Sequence, residues 1–292
     1  MASLQIVSDL HLESPRSSYE VFEIPPKAPY LALLGDVGYL VHHEEEYLGF
    51  LRRHLAKFRV IFLVLGNHEP WHSSWEESQP DLGELVILDR DKYRIETPSG
   101  KSIRVLGCTL FSHVPPSAAE AVSFGVNDFY YTENWSVEQH NSAFARDLAW
   151  LNSEVAALEA EAADLEAEIA ISVVKVAVMG PEVAAILEAD APGWTETKDE
   201  TVVVVLTHFS PTRDVRASDP QHRASRITSA FATDLRDATC WRSPAVKLWA
   251  FGHTHYNCDF VDDDTGMRVV ANQRGYYGSQ VQPFADKVVE IV

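Results

Sequence analysis

Cysteine, with methionine, is what this chain has least of: 292 residues hold three cysteines, Cys108, Cys240 and Cys258. They are odd in number, far apart and outside any CxxC or Cys/His zinc spacing. A disulfide framework is therefore excluded, and buried inert thiols in a reducing compartment are expected. Basic side chains are also scarce, 24 Lys and Arg against 43 Asp and Glu, which leaves a formal charge of −19. A field of that sign repels polyanions and anionic membranes, so long nucleic acids and membranes are poor partners. No stretch approaches the roughly 18 apolar residues of a membrane span. The opening MASLQIVSDLHLE shows no basic region and only a short apolar run, unlike a secretory signal. The expectation is a soluble, cytoplasmic protein, with the oligomeric state left open.

What the chain does have is a series of short apolar runs, each ending in polar residues: LQIVSDLH at 4–11, YLALLGDVG at 30–38, VIFLVLGNHE at 60–69, TVVVVLTHF at 201–209 and LWAFGHTH at 248–255. Runs of four to six Val, Ile, Leu and Phe residues suit strands buried on both faces. Between the second and third lies EEEYLGFLRRHLAKF, whose Tyr47, Leu48, Leu51, Leu55 and Phe58 recur at helical spacing. Strand, helix, strand implies a parallel pair in an α/β fold. Further strands are expected in 103–111, 267–275 and 286–292. The SGKSIRV and GMRV turns suggest antiparallel hairpins, so the sheet is expected to be mixed.

Residues 152–200 differ in character. Val155, Leu158, Ala162, Leu165 and Ile169 form an amphipathic stripe too short to define a coiled coil. A short helix opened by Pro181 and an acidic loop follow. The whole segment reads as a helical, acidic insertion or cover within one domain spanning 1–292, packed on its own domain or serving as a dimer contact.

The polar strand ends collect Asp9 and His11, Asp36, Asn67 and His68, His208, and His253 and His255. Loops leaving the carboxyl ends of strands in such a sheet converge on one crevice, so side chains from five remote segments would meet. Taken singly, each has a bland reading as a turn former, cap or core histidine. Their shared place at strand ends favours a dinuclear site instead. Carboxylate, imidazole and amide donors without thiolate suit Mn, Fe, Zn, Ni or Co.

The order Asp9-Leu10-His11, Gly35-Asp36, Gly66-Asn67-His68, His208 and Gly252-His253-Thr254-His255 resembles the calcineurin-like metallophosphoesterase superfamily. The resemblance implies a four-layer αββα sandwich of two mixed β-sheets and two divalent or trivalent metal ions. It implies one ion on Asp9, His11, Asp36 and His255, and the other on Asp36, Asn67, His208 and His253, with Asp36 bridging them. A carboxylate can serve two cations, whereas an imidazole offers one free lone pair. It further implies in-line attack of a metal-bridging hydroxide on phosphorus, with His68 assisting the leaving group.

The protein Ser/Thr phosphatase branch of that superfamily carries DxHGQ and GDxxDRG. Here the corresponding stretches read Asp9-Leu10-His11-Leu12-Glu13 and Gly35-Asp36-Val37-Gly38-Tyr39-Leu40, without the phosphate-gripping arginine. A small-molecule or nucleotide phosphodiester is therefore the expected substrate. A phosphomonoesterase or protein phosphatase, or a non-catalytic interaction scaffold, stands as the alternative. Asn127 and Arg223 are nominated as substrate contacts, ahead of Arg213, His222 and Tyr256.

Overall fold

The computed structural model describes residues 2–78, 85–97, 100–179, 202–276 and 284–291. Two mixed sheets lie face to face. The first has the order β11-β1-β2-β3-β4, built from β1 (Ser3–Val7), β2 (Tyr30–Leu34), β3 (Val60–Val64), β4 (Val86–Ile87) and β11 (Lys287–Glu290). The strands β1 to β4 run parallel and β11 joins β1 antiparallel. The second sheet has the order β5-β6-β7-β8-β10-β9. Its members are β5 (Asp91–Glu96), β6 (Ser102–Cys108), β7 (Val202–Thr207), β8 (Val246–Phe251), β9 (Cys258–Val261) and β10 (Arg268–Ala271). The strands β6, β7, β8 and β10 are parallel, and the two edges are the expected antiparallel hairpins.

Alternation along each strand creates the layers. On β7, Val202, Val204 and Leu206 enter the space between the sheets, where they meet Ala32, Leu34, Phe62 and Val64 of the first sheet. Val203 and Val205 face the opposite way, toward helix α5 (Val137–Met179) through Phe144, Leu151 and Val155. On the first sheet, Leu31, Leu33, Ile61 and Leu63 point outward to helix α2 (Glu44–Leu55) through Tyr47, Phe50 and Leu51. The result is the expected αββα sandwich. Within α2 the buried face is Tyr47, Phe50, Leu51 and His54, and the expected Leu48 and Leu55 are half-buried at its margins.

The amphipathic stripe expected at 155–169 belongs to a helix that begins at Val137, so the expected boundary at 152 falls inside a continuous element. The reason is visible in its polar contacts. Asn141 exchanges two hydrogen bonds with the Val114 backbone, and Asn152 Oδ1 accepts from Cys240 N at 2.9 Å. Asp147, buried, accepts from Leu110 N at 2.8 Å and from Arg90 at 2.7 Å. The stripe's Val155 and Leu158 are buried and Ala162 is half-buried. The expected Pro181 helix and acidic loop lie outside the described residues. Cys108, Cys240 and Cys258 are all unpaired thiols, the first two buried. Among the described residues no helix is long and apolar enough to cross a membrane.

Candidate active site

All five expected clusters sit just past the carboxyl ends of parallel strands. Asp9 and His11 follow β1, Asp36 follows β2, Asn67 and His68 follow β3, His208 follows β7, and His253 and His255 follow β8. The first sheet therefore supplies one half of the site and the second sheet the other. The backbone turns sharply at these points: Asp9, His11, Asp36, His253 and His255 have φ of 52°, 48°, 52°, 67° and 48°. Left-handed backbone at non-glycine residues costs about a kcal/mol or more each and persists only where surroundings impose it. The glycines of the motifs make room for this crowding. A Cβ on Gly66 would overlap the Asp36 carboxylate, and one on Gly252 would overlap the Ser8 hydroxyl and crowd Asp9.

Among the described residues, three groups hold potential ligand atoms within 4.8 Å of one another: Asp9, His11 and His255; His11, Asp36 and His68; and Asp36, His208 and His253. The first and third follow the division the resemblance implies. The site is largely buried, with Asp9, His11 and His208 fully so and His255 partly exposed. His208 Nδ1 donates to the Leu34 carbonyl at 2.7 Å, which leaves Nε2 a bare acceptor. Asn67 Nδ2 donates to the buried Asp128 carboxylate at 2.8 Å, so Asn67 Oδ1 is also an acceptor. These two acceptors face each other at 2.9 Å. A contact between two lone pairs is unfavourable unless a cation lies against both. His11 Nε2 and His255 Nε2 also meet, 3.0 Å apart, with Asp9 Oδ1 3.2 Å from the latter. The donor set thus fits divalent cations.

Charge reinforces this fit. Burial, then the charges of Glu69 and Asp9, push the Asp36 carboxyl well above its ordinary value. Burial also acts to raise Asp9, but the hydrogen bond and charge of His255, with His208 and His11, outweigh it and hold Asp9 low. Burial pushes the His68 imidazole well below its ordinary value, and His11 down to about 4. Both rings are neutral at pH 7, so their neighbours decide which nitrogen carries the proton.

Several residues that build the site carried no expected role. Glu69, the last residue of Gly66-Asn67-His68-Glu69, is a clamp: its carboxylate accepts from Asp36 N at 3.0 Å, Val37 N at 2.8 Å, Gly66 N at 2.7 Å and the Tyr47 hydroxyl at 3.1 Å. It ties the loops after β2 and β3 together. Asp128, in the short helix α4 (Asp128–Tyr131), also accepts from Trp71 Nε1 at 3.1 Å, and Trp71 stacks on His68 with ring centroids 3.6 Å apart. Burial raises Asp128 to about 6 against the hydrogen bonds from Asn67 and Trp71. Gln273 shapes the second half, accepting from His255 N at 2.5 Å and donating to Thr254 and Tyr256. Tyr276, partly exposed, stacks on His11 at 4.1 Å and places its hydroxyl 3.0 Å from His68 Nε2.

Asn127 and Arg223 are not brought into this cluster. Asn127 is exposed, with its carbonyl accepting from Tyr130 and Tyr131, and it is the neighbouring Asp128 that reaches the site. Arg223 is exposed and donates to the carbonyls of Val215 and Ser218, bracing its own loop. The Asn127 nomination fell one residue short of Asp128, because sequence could not tell which side chain turns inward.

A family model for the calcineurin-like phosphoesterases matches residues 4–257. The chain belongs to that family. Metal-dependent hydrolysis of phosphoesters is its chemistry, and two divalent ions are typical of it. An uncharacterised protein of Acanthamoeba polyphaga mimivirus is 23% identical over 303 residues, covering 94% of this chain and 92% of its own. A phosphopantetheinyl hydrolase from Mycobacterium tuberculosis shares the fold with a TM-score of 0.56 at 17% identity, over 98% of both chains. A dimetal phosphatase from Danio rerio aligns with a TM-score of 0.43 at 14% identity, over 93% of this chain and 87% of its own.

Proposed function

We propose that this member of the family hydrolyses a small soluble phosphodiester. Asp9, His11, Asp36 and His255 would hold one ion, and Asp36, Asn67, His208 and His253 the other. The observation that carries the reading is the His208 Nε2 and Asn67 Oδ1 pair, two acceptors aimed at one point 2.9 Å apart. Two bound cations would supply a nucleophilic water of lowered pKa and neutralise phosphoryl oxygens.

The chain's own groups would do the rest. Asp36 offers two oxygens between the two halves, with Oδ1 fixed by His68 N at 2.8 Å. Trp71 holds the His68 ring by stacking, so that its Nε2 faces the open side of the cluster, where the leaving oxygen would sit. That nitrogen is bare at rest, and a proton it takes up, from the attacking water or through the Tyr276 hydroxyl, would be the one passed to the leaving oxygen. The preference for a diester rests on charge. Asp9, Asp36, Glu13 and Asp128 crowd the site with carboxyl groups. The Arg274 guanidinium nearby is engaged with the Leu10 carbonyl and lies over the Phe22 ring. These carboxyl groups would offset part of the charge that two bound cations supply, which leaves less compensation for a dianionic monoester than a monoanionic diester needs.

The test compares bis-p-nitrophenyl phosphate with p-nitrophenyl phosphate in the presence of Mn, before and after chelation. Faster, chelator-sensitive cleavage of the diester is expected. Preference for the monoester overturns the diester reading, and inertness toward both with metal bound favours a scaffold.

A further inference from the structure

Glu13 is the acid the site uses without an assigned purpose. It stands two residues after His11, where the Ser/Thr phosphatase pattern DxHGQ has glutamine, and its side chain is only 4% exposed. One oxygen, Oε1, lies 3.2 Å from His11 Nδ1 and 3.1 Å from His68 Nδ1. The two rings meet edge to face, with centroids 4.5 Å apart. Its space is reserved by glycine: a Cβ on Gly38 would come within 3.1 Å of Glu13 Oε2 and overlap the Tyr19 hydroxyl. The second oxygen, Oε2, has no hydrogen-bond partner among the described residues. The carboxylate is thus committed through Oε1 to both imidazoles at once.

A carboxylate oxygen only accepts, so each Nδ1 facing it must carry the proton. That leaves Nε2 bare on both rings. On His11 the bare nitrogen faces His255 and the metal cluster, as a ligand must. On His68 it faces the Tyr276 hydroxyl at 3.0 Å, which can donate to it. Tyr276 stacks on His11 at 4.1 Å and so closes the arrangement from the other side. Both ends of His68 agree on one tautomer, and the same acid sets the tautomer of the neighbouring ligand.

Resting on the phosphodiesterase reading above, we propose that Glu13 is a positioning residue that fixes His11 as a metal ligand and His68 as the leaving-group imidazole through one shared oxygen. Loss of the acid would disturb cation binding and leaving-group assistance together. Outer partners of this kind are worth about 10- to 100-fold in metal affinity or activity.

The test reads tautomers rather than turnover. Long-range proton–nitrogen correlation spectra of the metal-free protein at pH 8 should place the proton of His11 and of His68 on Nδ1. Either ring found with its proton on Nε2 overturns the proposal, and this outcome needs no variant. Glu13→Ala should shift both rings toward Nε2–H and weaken zinc binding by calorimetry about 10- to 100-fold. Glu13→Gln, which keeps an acceptor oxygen, should restore the Nδ1–H form and most of the affinity. Unchanged tautomers in Glu13→Ala overturn the shared role. If the tautomers hold but metal-loaded wild type leaves bis-p-nitrophenyl phosphate intact, the fault lies with the reaction assigned and not with Glu13.

Discussion

His68 separates binding from chemistry at a single position. Its backbone N–H steadies Asp36 while its ring lies between Glu13, Trp71 and Tyr276. Truncating the ring leaves the backbone contact in place. His68→Ala should therefore keep full metal content and lose about 10²- to 10⁴-fold in turnover of an alkyl phosphodiester, with a smaller loss on nitrophenyl leaving groups that need no proton. Equal alkyl turnover by variant and wild type would remove His68 from the reaction. At this scale the sequence showed well which donor side chains meet, because Asp, Asn and His beside glycine at strand ends have few other uses in combination. It did not show Glu13, Asp128 or Tyr276. Glu13 reaches two imidazoles just after a backbone reversal in which His11 has φ of 48°, and no residue type announces such a turn. Asp128, at the start of α4, and Tyr276 arrive from remote segments whose direction is set by packing.

Among the elements, α2 was legible throughout and α5 only in its later part. The α2 pattern is bounded by two strands and faces one sheet, so its period survives intact. The α5 helix starts in a polar stretch where Asn141, Asp147 and Asn152 look like surface residues, yet each grips the body of the fold. His140 belongs to the same set: its Nε2 accepts from Ser112 N at 3.2 Å and meets the Ser112 hydroxyl at 2.9 Å, and the ring is packed among Phe111, Phe129 and Phe209. Burial pushes its pKa from 6.5 down to about 4. Below pH 6.5 the unfolded chain takes up a proton that the folded ring refuses, so this contribution is full above 6.5 and is lost as pH falls toward 4. The span of about 2.5 units corresponds to roughly 3 kcal/mol at 1.36 kcal/mol per unit. Asp147, raised to about 6 by burial, acts with the opposite sign, losing stability as pH rises through its window. It is common to wild type and a His140→Gln variant. Urea unfolding at pH 7.5 and 4.5 should show wild type losing more stability on acidification than His140→Gln. Equal losses would show that the ring is not held neutral.

Across the whole molecule, the two sheets share no strand and meet through side chains such as Leu34, Phe62, Val204 and Leu206. The expected ligands are divided across that seam, four on the first sheet's loops and three on the second's: Asp9, His11, Asp36 and Asn67 against His208, His253 and His255. Either ion, if held by the sets proposed, would take ligands from both sheets and behave as a rivet through the sandwich. Saturating Mn at about 100 times its dissociation constant would add about 2.7 kcal/mol to unfolding. A melting curve that ignores both Mn and chelator would show that no such rivet forms. In a cell starved of the metal, the same geometry would make the empty protein easier to pull apart along its middle, so that supply of the ion would govern how long each copy lasts as well as how fast it works.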